Sequence, residues 1–160
     1  FGAITSAREE ILMVTPYFYP DPAILEAIKT AALAGVAVHL ILPVRSDHRV
    51  TSRAAYSLFP ELHAAGVHVY RRPLPFIHGK AIIIDRSWAM VGSANLDYRS
   101  LRLNFELNLV LSGDEIIGRL TGELLAEIGK SQRVSTALLR QWGYVHQFKN
   151  NLCALFAPLL

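Results

Sequence analysis

Three short apolar runs alternate with segments of helical spacing, and this order constrains the fold more than any other feature of the chain. The runs are "EILMVTPYF", "VAVHLILP" and "VHVYRR"; between them lie "AILEAIKTAALAG" and "SDHRVTSRAAYSLFPELHAAG". Asp21 followed by Pro22 is a helix start, with a capping carboxylate and proline at the first helical position. The helix it opens stops at Gly35. Strands are expected over Ile11 to Tyr17, Val36 to Leu42 and 67–72, with the second helical region broken before Pro60 and ending at Gly66. Strand–helix–strand–helix–strand order predicts an α/β fold with a mixed, largely parallel β-sheet flanked by helices on both faces. A hairpin over 76–92 follows, then a strand from Asn104 to Leu111. Ser112 and Glu115 have capping-box spacing and introduce a helix to about Gly129. At 160 residues the chain makes one domain, 1–160.

Composition narrows the class but does not choose a partner. The chain is 52% apolar and 18% charged, which is the make-up of an ordered protein. Its formal charge of +3 suits an anionic partner, lipid headgroup or nucleic acid alike. One cysteine, Cys153, excludes an internal disulfide, and a reducing compartment is the simplest reading. No signal peptide is visible, and no uncharged apolar run reaches the roughly 18 residues of a membrane span. The chain opens without methionine and close to its first strand, so a piece of a longer protein is expected.

The chemistry concentrates in "FIHGKAIIIDRSWAMVGSANLDYRS", Phe76 to Ser100. Strand alternation puts His78 and Lys80 on one face, with Ile82 and Ile84 continuing it and Ala81 and Ile83 opposite. Gly79 between them permits close approach by another chain or a ligand. A lysine entering such an apolar strand costs several kcal/mol unless its charge is balanced by phosphate or carboxylate. Gly92 and Ser93 turn the chain so that Ser93 and Asn95 return to the mouth where His78 stands, and both donate to phosphoryl oxygens. Glu106 is a carboxylate on an apolar strand that needs a partner; a bond to a ring nitrogen of His78 would fix the histidine's tautomer and leave its other nitrogen free. By themselves these residues suit an oxyanion site with a histidine nucleophile or acid, and equally a structural polar cluster.

The spacing His78-x-Lys80, then Asp85, then Gly92-Ser93-x-Asn95, resembles the HKD signature of the phospholipase D superfamily. The stretches "TPYFYPD", "AALAGVAVHLILP", "ELHAAGVHVY", "VGSANLDYRSLRLNFELNLVL" and "LFAPLL" are similar to the second half of bacterial cardiolipin synthases. That resemblance implies a phospholipase D-like domain carrying one of two motifs that together make an active site. His78 is then a catalytic histidine; Lys80 and Asn95 hold the phosphate with Ser93 beside them; Glu106 orients the histidine. Asp85 and Gly92 are motif residues of structural role. Asp97, Arg99 and Arg102 are candidates for the pocket rim. No metal and no cofactor are implied, since Lys80 and Asn95 supply charge and donors. The second motif lies elsewhere in a longer chain, or two copies pair as a twofold dimer. The implied reaction moves a phosphatidyl group from one phosphatidylglycerol to another through a phosphohistidine, giving cardiolipin and glycerol. In the family the nucleophile lies more often in the first half, which makes His78 the acid–base partner.

The implied partners are phosphatidylglycerol or another anionic phospholipid and a membrane surface, with no nucleic acid. The implied location is the cytoplasmic face of a bacterial inner membrane, peripheral or anchored by segments outside this chain. Two rivals stand beside this reading. One is a hydrolytic phospholipase D or nuclease-type phosphodiesterase; a nuclease should show a broad basic groove with stacking aromatics, and here basic residues are scattered. The other is a silent half that supports a partner domain or binds lipid.

The remaining histidines, His39, His48, His63, His68 and His146, lack a lysine two residues on and a downstream Gly-Ser-x-Asn. His39 reads as a satisfied residue at the core edge and His48 as a solvated cap, although its loop follows a parallel strand, where ligands commonly sit. His146 with Lys149 is a candidate contact to lipid phosphate. Arg71 and Arg72 suit headgroup contacts or a charged edge, and Tyr17, Phe18 and Tyr19 suit pocket lining or loop packing. The aromatic tail around Trp142, Tyr144, Phe148, Leu152, Leu155 and Phe156 reads as core closure, with an acyl groove or membrane contact as the alternative.

Overall fold

A computed structural model describes residues 1–75 and 77–156. Phe76, expected to open the hairpin, and the last four residues of the apolar tail lie outside the described residues. In chain order the elements are α1 (Gly2–Ser6), β1 (Glu10–Val14), β2 (Phe18–Tyr19), α2 (Pro22–Leu33), β3 (Ala37–Pro43), α3 (Arg49–Ser57), α4 (Phe59–Ala64) and β4 (His68–Arg72). Then come β5 (Ala81–Ile84), β6 (Trp88–Gly92), β7 (Leu96–Asp97), α5 (Tyr98–Arg102), β8 (Asn108–Ser112), α6 (Asp114–Gly129), β9 (Gln132–Arg133), α7 (Thr136–Gln141) and α8 (Tyr144–Ala154).

The mixed sheet with helices on both faces is present. Its strand order is β8-β6-β5-β1-β3-β4-β9. The centre, β1 with β3 and β3 with β4, is parallel, and the flanks on both sides add antiparallel pairings. Alternation along β5 splits its side chains as expected. Ile82 and Ile84 enter the core shared with α2, α3 and α4, while Ala81 and Ile83 enter the second core beneath α6. All four are buried, and each isoleucine so placed stabilises the fold by about 1.5–3 kcal/mol. On α6 the buried residues are Ile117, Thr121 and Leu124, a single helical stripe.

Local signals hold where the backbone alone decides. The Asp21 carboxylate accepts the N–H of Ile24 at 3.0 Å, with Pro22 in the first turn. Gly35 and Gly66 take φ of +96° and +92° at the two helix ends. The helical region breaks at Leu58, ahead of Pro60.

Four boundaries differ from expectation. The first strand ends at Val14, because Pro16 carries no N–H for the ladder and Thr15 turns its hydroxyl to the Tyr17 carbonyl. Residues 77–80 precede β5 rather than belonging to it, so His78 and Lys80 stand on an approach segment. The expected strand from Asn104 begins only at Asn108, opposite Gly92. Ser112 ends β8 and does not cap α6; Gly113, at φ +113°, makes the turn and takes the capping position.

Candidate active site

The mouth lies at the C-terminal ends of the parallel strands, the edge where open α/β sheets gather ligands. Val14 pairs with Ala81 and Gly92 with Asn108, so the segments carrying His78, Lys80, Ser93 and Glu106 meet there. The approach of β6 to β8 is so close that a Cβ on Gly92 would overlap the Leu107 carbonyl and lie 2.7 Å from the Asn108 Cα. Only glycine fits. Gly79 differs: a Cβ there would meet Val14 at an ordinary 3.8 Å, so no close approach within the chain explains it.

Lys80 is half-buried and its ammonium donates to the His78 carbonyl at 3.1 Å. Burial pushes its pKa down, while the charges of Glu106 and Asp97 pull it back up. Asn95 and Lys80, from separate loop segments, line one small cavity. Asn95 donates to the Ser100 hydroxyl at 3.3 Å, and its Oδ1 is buried with no hydrogen-bond partner among the described residues. Asn95 also borders a cavity of about 380 Å³ lined by Tyr17, His48, Asp97 and Arg99. His78 is exposed at this mouth, its ring edge-on to Tyr17 with centroids 6.2 Å apart.

The carboxylates divide their work. Glu106 accepts a very short hydrogen bond from the Ser93 hydroxyl and one from Asn104 at 3.3 Å. The Ser93 bond is the main reason its pKa is low, and Lys80 adds to it. Ser93 in turn accepts the Leu107 N–H at 3.0 Å, which ties Ser93 to the segment carrying Glu106. Asp97 caps α5 through the Ser100 N–H at 2.7 Å, and burial raises its pKa against that bond. Arg99 lines the larger cavity and donates to Asn104 at 3.3 Å. Arg102 is not among the residues lining that cavity. Its guanidinium pairs with Asp21 at 2.9 Å and fastens α5 to the start of α2.

Asp85 sits at the opposite end of the hairpin. Its carboxylate accepts the backbone N–H groups of Arg8, Glu9 and Glu10 at 2.8 to 2.9 Å. Burial works to raise its pKa, and these three donors outweigh it, so the group stays below the ordinary carboxylate range. Arg86 pairs with Glu10 at 2.8 Å, not with Asp85.

Several residues carry more of the site than their sequence setting suggests. His48 makes no side-chain cap bond to α3; its ring stands 5.6 Å from Tyr17 and lines the cavity. The Tyr17 hydroxyl donates to Asp47 at 2.5 Å, and burial followed by that bond drives its pKa strongly up. Thr51, Ser100 and Asn104 complete the lining. The one signal pointing to His48 and Thr51 was the loop after a parallel strand. Ser100 and Asn104 carried none.

Outside the mouth, His39 is half-buried, 3.3 Å from the Tyr70 hydroxyl, as a satisfied residue at the core edge. His63 bonds Thr136 at 2.9 Å. Strand alternation separates the neighbouring arginines. Arg72 pairs with Glu127 under α6, while Arg71 lies 5.2 Å over Tyr56 and 5.9 Å from Trp142 on the other face. The tail divides likewise: Trp142 packs on Phe59 and the core, but Tyr144, Phe148, Leu152, Leu155 and Phe156 are exposed. No helix among the described residues is long and apolar enough to cross a membrane.

Similarity to known proteins identifies the family. Residues 1–127 match the family model described as "Cardiolipin synthase, PLD-like domain". A cardiolipin synthase of Alkalihalophilus pseudofirmus is 38% identical over all 160 residues of this chain and 32% of its own length. Cardiolipin synthase 2 of Bacillus cereus is 42% identical over the whole chain and 31% of its own length. The chain thus spans about a third of the length of these relatives. The fold is similar to Nuc of Salmonella typhimurium, a phospholipase D family member, with TM-score 0.73 and 23% identity over 84% of this chain and 88% of that one. It also resembles a phosphatidylserine synthase of Haemophilus influenzae, with TM-score 0.73 and 16% identity over 99% of this chain and 43% of that one. The family model covers most of the chain and the relatives all of it, so this chain belongs to the phospholipase D-like domain family of the cardiolipin synthases.

Proposed function

We propose that this domain supplies one of two catalytic histidines for phosphatidyl transfer between two phosphatidylglycerol molecules, giving cardiolipin and glycerol. The observation that carries the reading is that Lys80 and Asn95, from separate loop segments, line one small cavity, with Asn95 opening onto the larger one beside Tyr17 and His48. A phosphoryl group at this mouth would balance the half-buried Lys80 charge and take hydrogen bonds from Lys80 and Asn95, while the Ser93 hydroxyl is held by Glu106.

The reaction needs two imidazoles. One forms an N–P bond as the P–O bond to glycerol breaks, and the other gives its proton to the departing glycerol oxygen. The hydroxyl of the second phosphatidylglycerol then gives its proton to that second imidazole. Its oxygen takes phosphorus from nitrogen, and the P–N bond breaks. His78 is one of the pair. The other comes from a second phospholipase D-like domain, in the same chain given the relatives' threefold greater length, or from a second copy. Glu106 holds Ser93 and balances Lys80. An exposed apolar edge, with Phe105, Leu107, Leu109 and Val110 flanking Glu106 and running into β8, is the surface on which the second domain seats. The substrates place the enzyme at a bacterial inner membrane, peripheral or held by segments outside this chain.

The test is an assay of the full-length enzyme with phosphatidylglycerol, phosphatidylcholine and single-stranded DNA side by side, with and without chelator. Cardiolipin should form from phosphatidylglycerol, independently of chelator, and disappear in His78→Ala. Cardiolipin output unchanged in that variant, or cleavage of DNA in place of lipid transfer, would end this reading.

A further inference from the structure

We infer that the seam between α3 and α8 holds a second phosphate site, one that takes the phosphate of an anionic phospholipid at the membrane surface. A cavity of about 510 Å³ opens there, lined by Arg45, Arg49, Arg53 and His146. Asp47 is the one carboxylate of its lining, and that group already accepts the Tyr17 hydroxyl. No carboxylate of the described residues forms an ion pair with Arg45, Arg49, Arg53 or Arg71. Behind the cavity, Arg71 lies against the rings of Tyr56 and Trp142, and His146 stacks on Trp142 at 4.9 Å.

This positive charge is gathered without its complement. Arg53 Nη1, Arg71 Nε and His146 Nε2 are buried donors or ring nitrogens with no hydrogen-bond partner among the described residues. Burying such groups unpaired is destabilising, and an anion in the adjoining cavity offsets the cost through its field. Burial, and then the neighbouring Arg53, Arg71 and Lys149 charges, hold the His146 pKa below its ordinary value.

The helix that carries His146 also points to the source of the phosphate. Its outer side exposes Tyr144, Val145, Phe148 and Leu152, and Leu155 and Phe156 extend the stripe. These residues recur at intervals of three and four with Lys149 beside them, the pattern of a helix lying in a bilayer interface. With that side in the acyl boundary, the cationic cavity on the helix's inner flank sits at headgroup depth. Choosing a lipid over a free ion rests on the proposed phosphatidyl transfer; the phosphate chemistry of the cavity does not.

The test uses the full-length enzyme carrying His78→Ala in a neutral detergent, with carbon-13-labelled histidine. The His146 signal is identified by its absence in His146→Gln. Dihexanoyl phosphatidylglycerol should shift that signal saturably. Arg49→Gln combined with Arg53→Gln should weaken the binding about 30-fold, and the paired lysine substitutions should retain it. Three results overturn the proposal: no lipid-dependent shift, as when another part of the full chain covers α8; equal binding in the double glutamine variant; or a shift with inorganic phosphate but none with the lipid. Transfer measured in enzyme with His78 intact reports the proposed function separately. A missing shift beside His78-dependent transfer sinks only the second site. A retained shift in an enzyme whose transfer survives His78→Ala sinks only the catalytic reading.

Discussion

The two ends of the β5–β6 hairpin hold polar residues of one motif in opposite states. At the turn, Asp85 receives three backbone N–H groups and Arg86 has Glu10, so local charge is matched. At the mouth, Lys80 is half-buried with its pKa pushed down by burial, and Asn95 has a buried oxygen with no partner among the described residues. The turn end carries its negative charge to stitch β5 to the start of β1. At the mouth end no described residue forms an ion pair with the Lys80 ammonium, and the Asn95 carboxamide is only partly bonded. Matching ties a structure together; incomplete matching, maintained by a rigid frame, is what binds an anion.

Substitutions at the two ends should therefore separate activity from stability. The largest effect belongs to the mouth: His78→Ala in the full-length enzyme should lower transfer about 10³-fold or more, with the unfolding midpoint unmoved. Lys80→Gln should lower it about 10²- to 10³-fold. Because burial lowers the Lys80 pKa, activity should fall earlier on the alkaline side than in any active Lys80→Arg enzyme, whose guanidinium stays charged. An identical alkaline limb in the two would remove Lys80 from the phosphate.

At the turn the readout is denaturant unfolding. Asp85→Ala should destabilise the fold by about 2–4 kcal/mol, since it strands three N–H donors. The Asp85 pKa is depressed in the folded state, so its contribution is complete above the unfolded value, about pH 4, and fades as pH falls through the lower folded value. The gap between wild type and variant should narrow below about pH 4. A gap that stays constant there would mean the carboxylate's charge is not what the three donors hold. The smallest effect is Arg86→Ala, the exposed member of a pair at the same turn, which should leave melting and transfer within error. A loss as large as that of Asp85→Ala would erase the distinction between the two ends.

Elements whose geometry follows from neighbouring residues were legible without any structure. Asp21-Pro22 starts its helix, glycines at 35 and 66 end theirs, and the isoleucines of β5 divide between two cores, because caps, positive φ and a period of two are local properties. The positions of His78, Lys80, Ser93, Asn95 and Glu106 could be named from the motif and its resemblance. Their partners could not. That Glu106 takes the Ser93 hydroxyl, that Arg102 turns to Asp21 and that His48 leaves its helix for the cavity depend on which loops the sheet brings side by side. The sequence by itself determined the alternating elements and the residues able to meet a phosphate. The tertiary structure alone decided which of those charges are matched within the chain and which are left over, because pairing between distant segments is set by strand order and register, and neither is encoded in any single stretch.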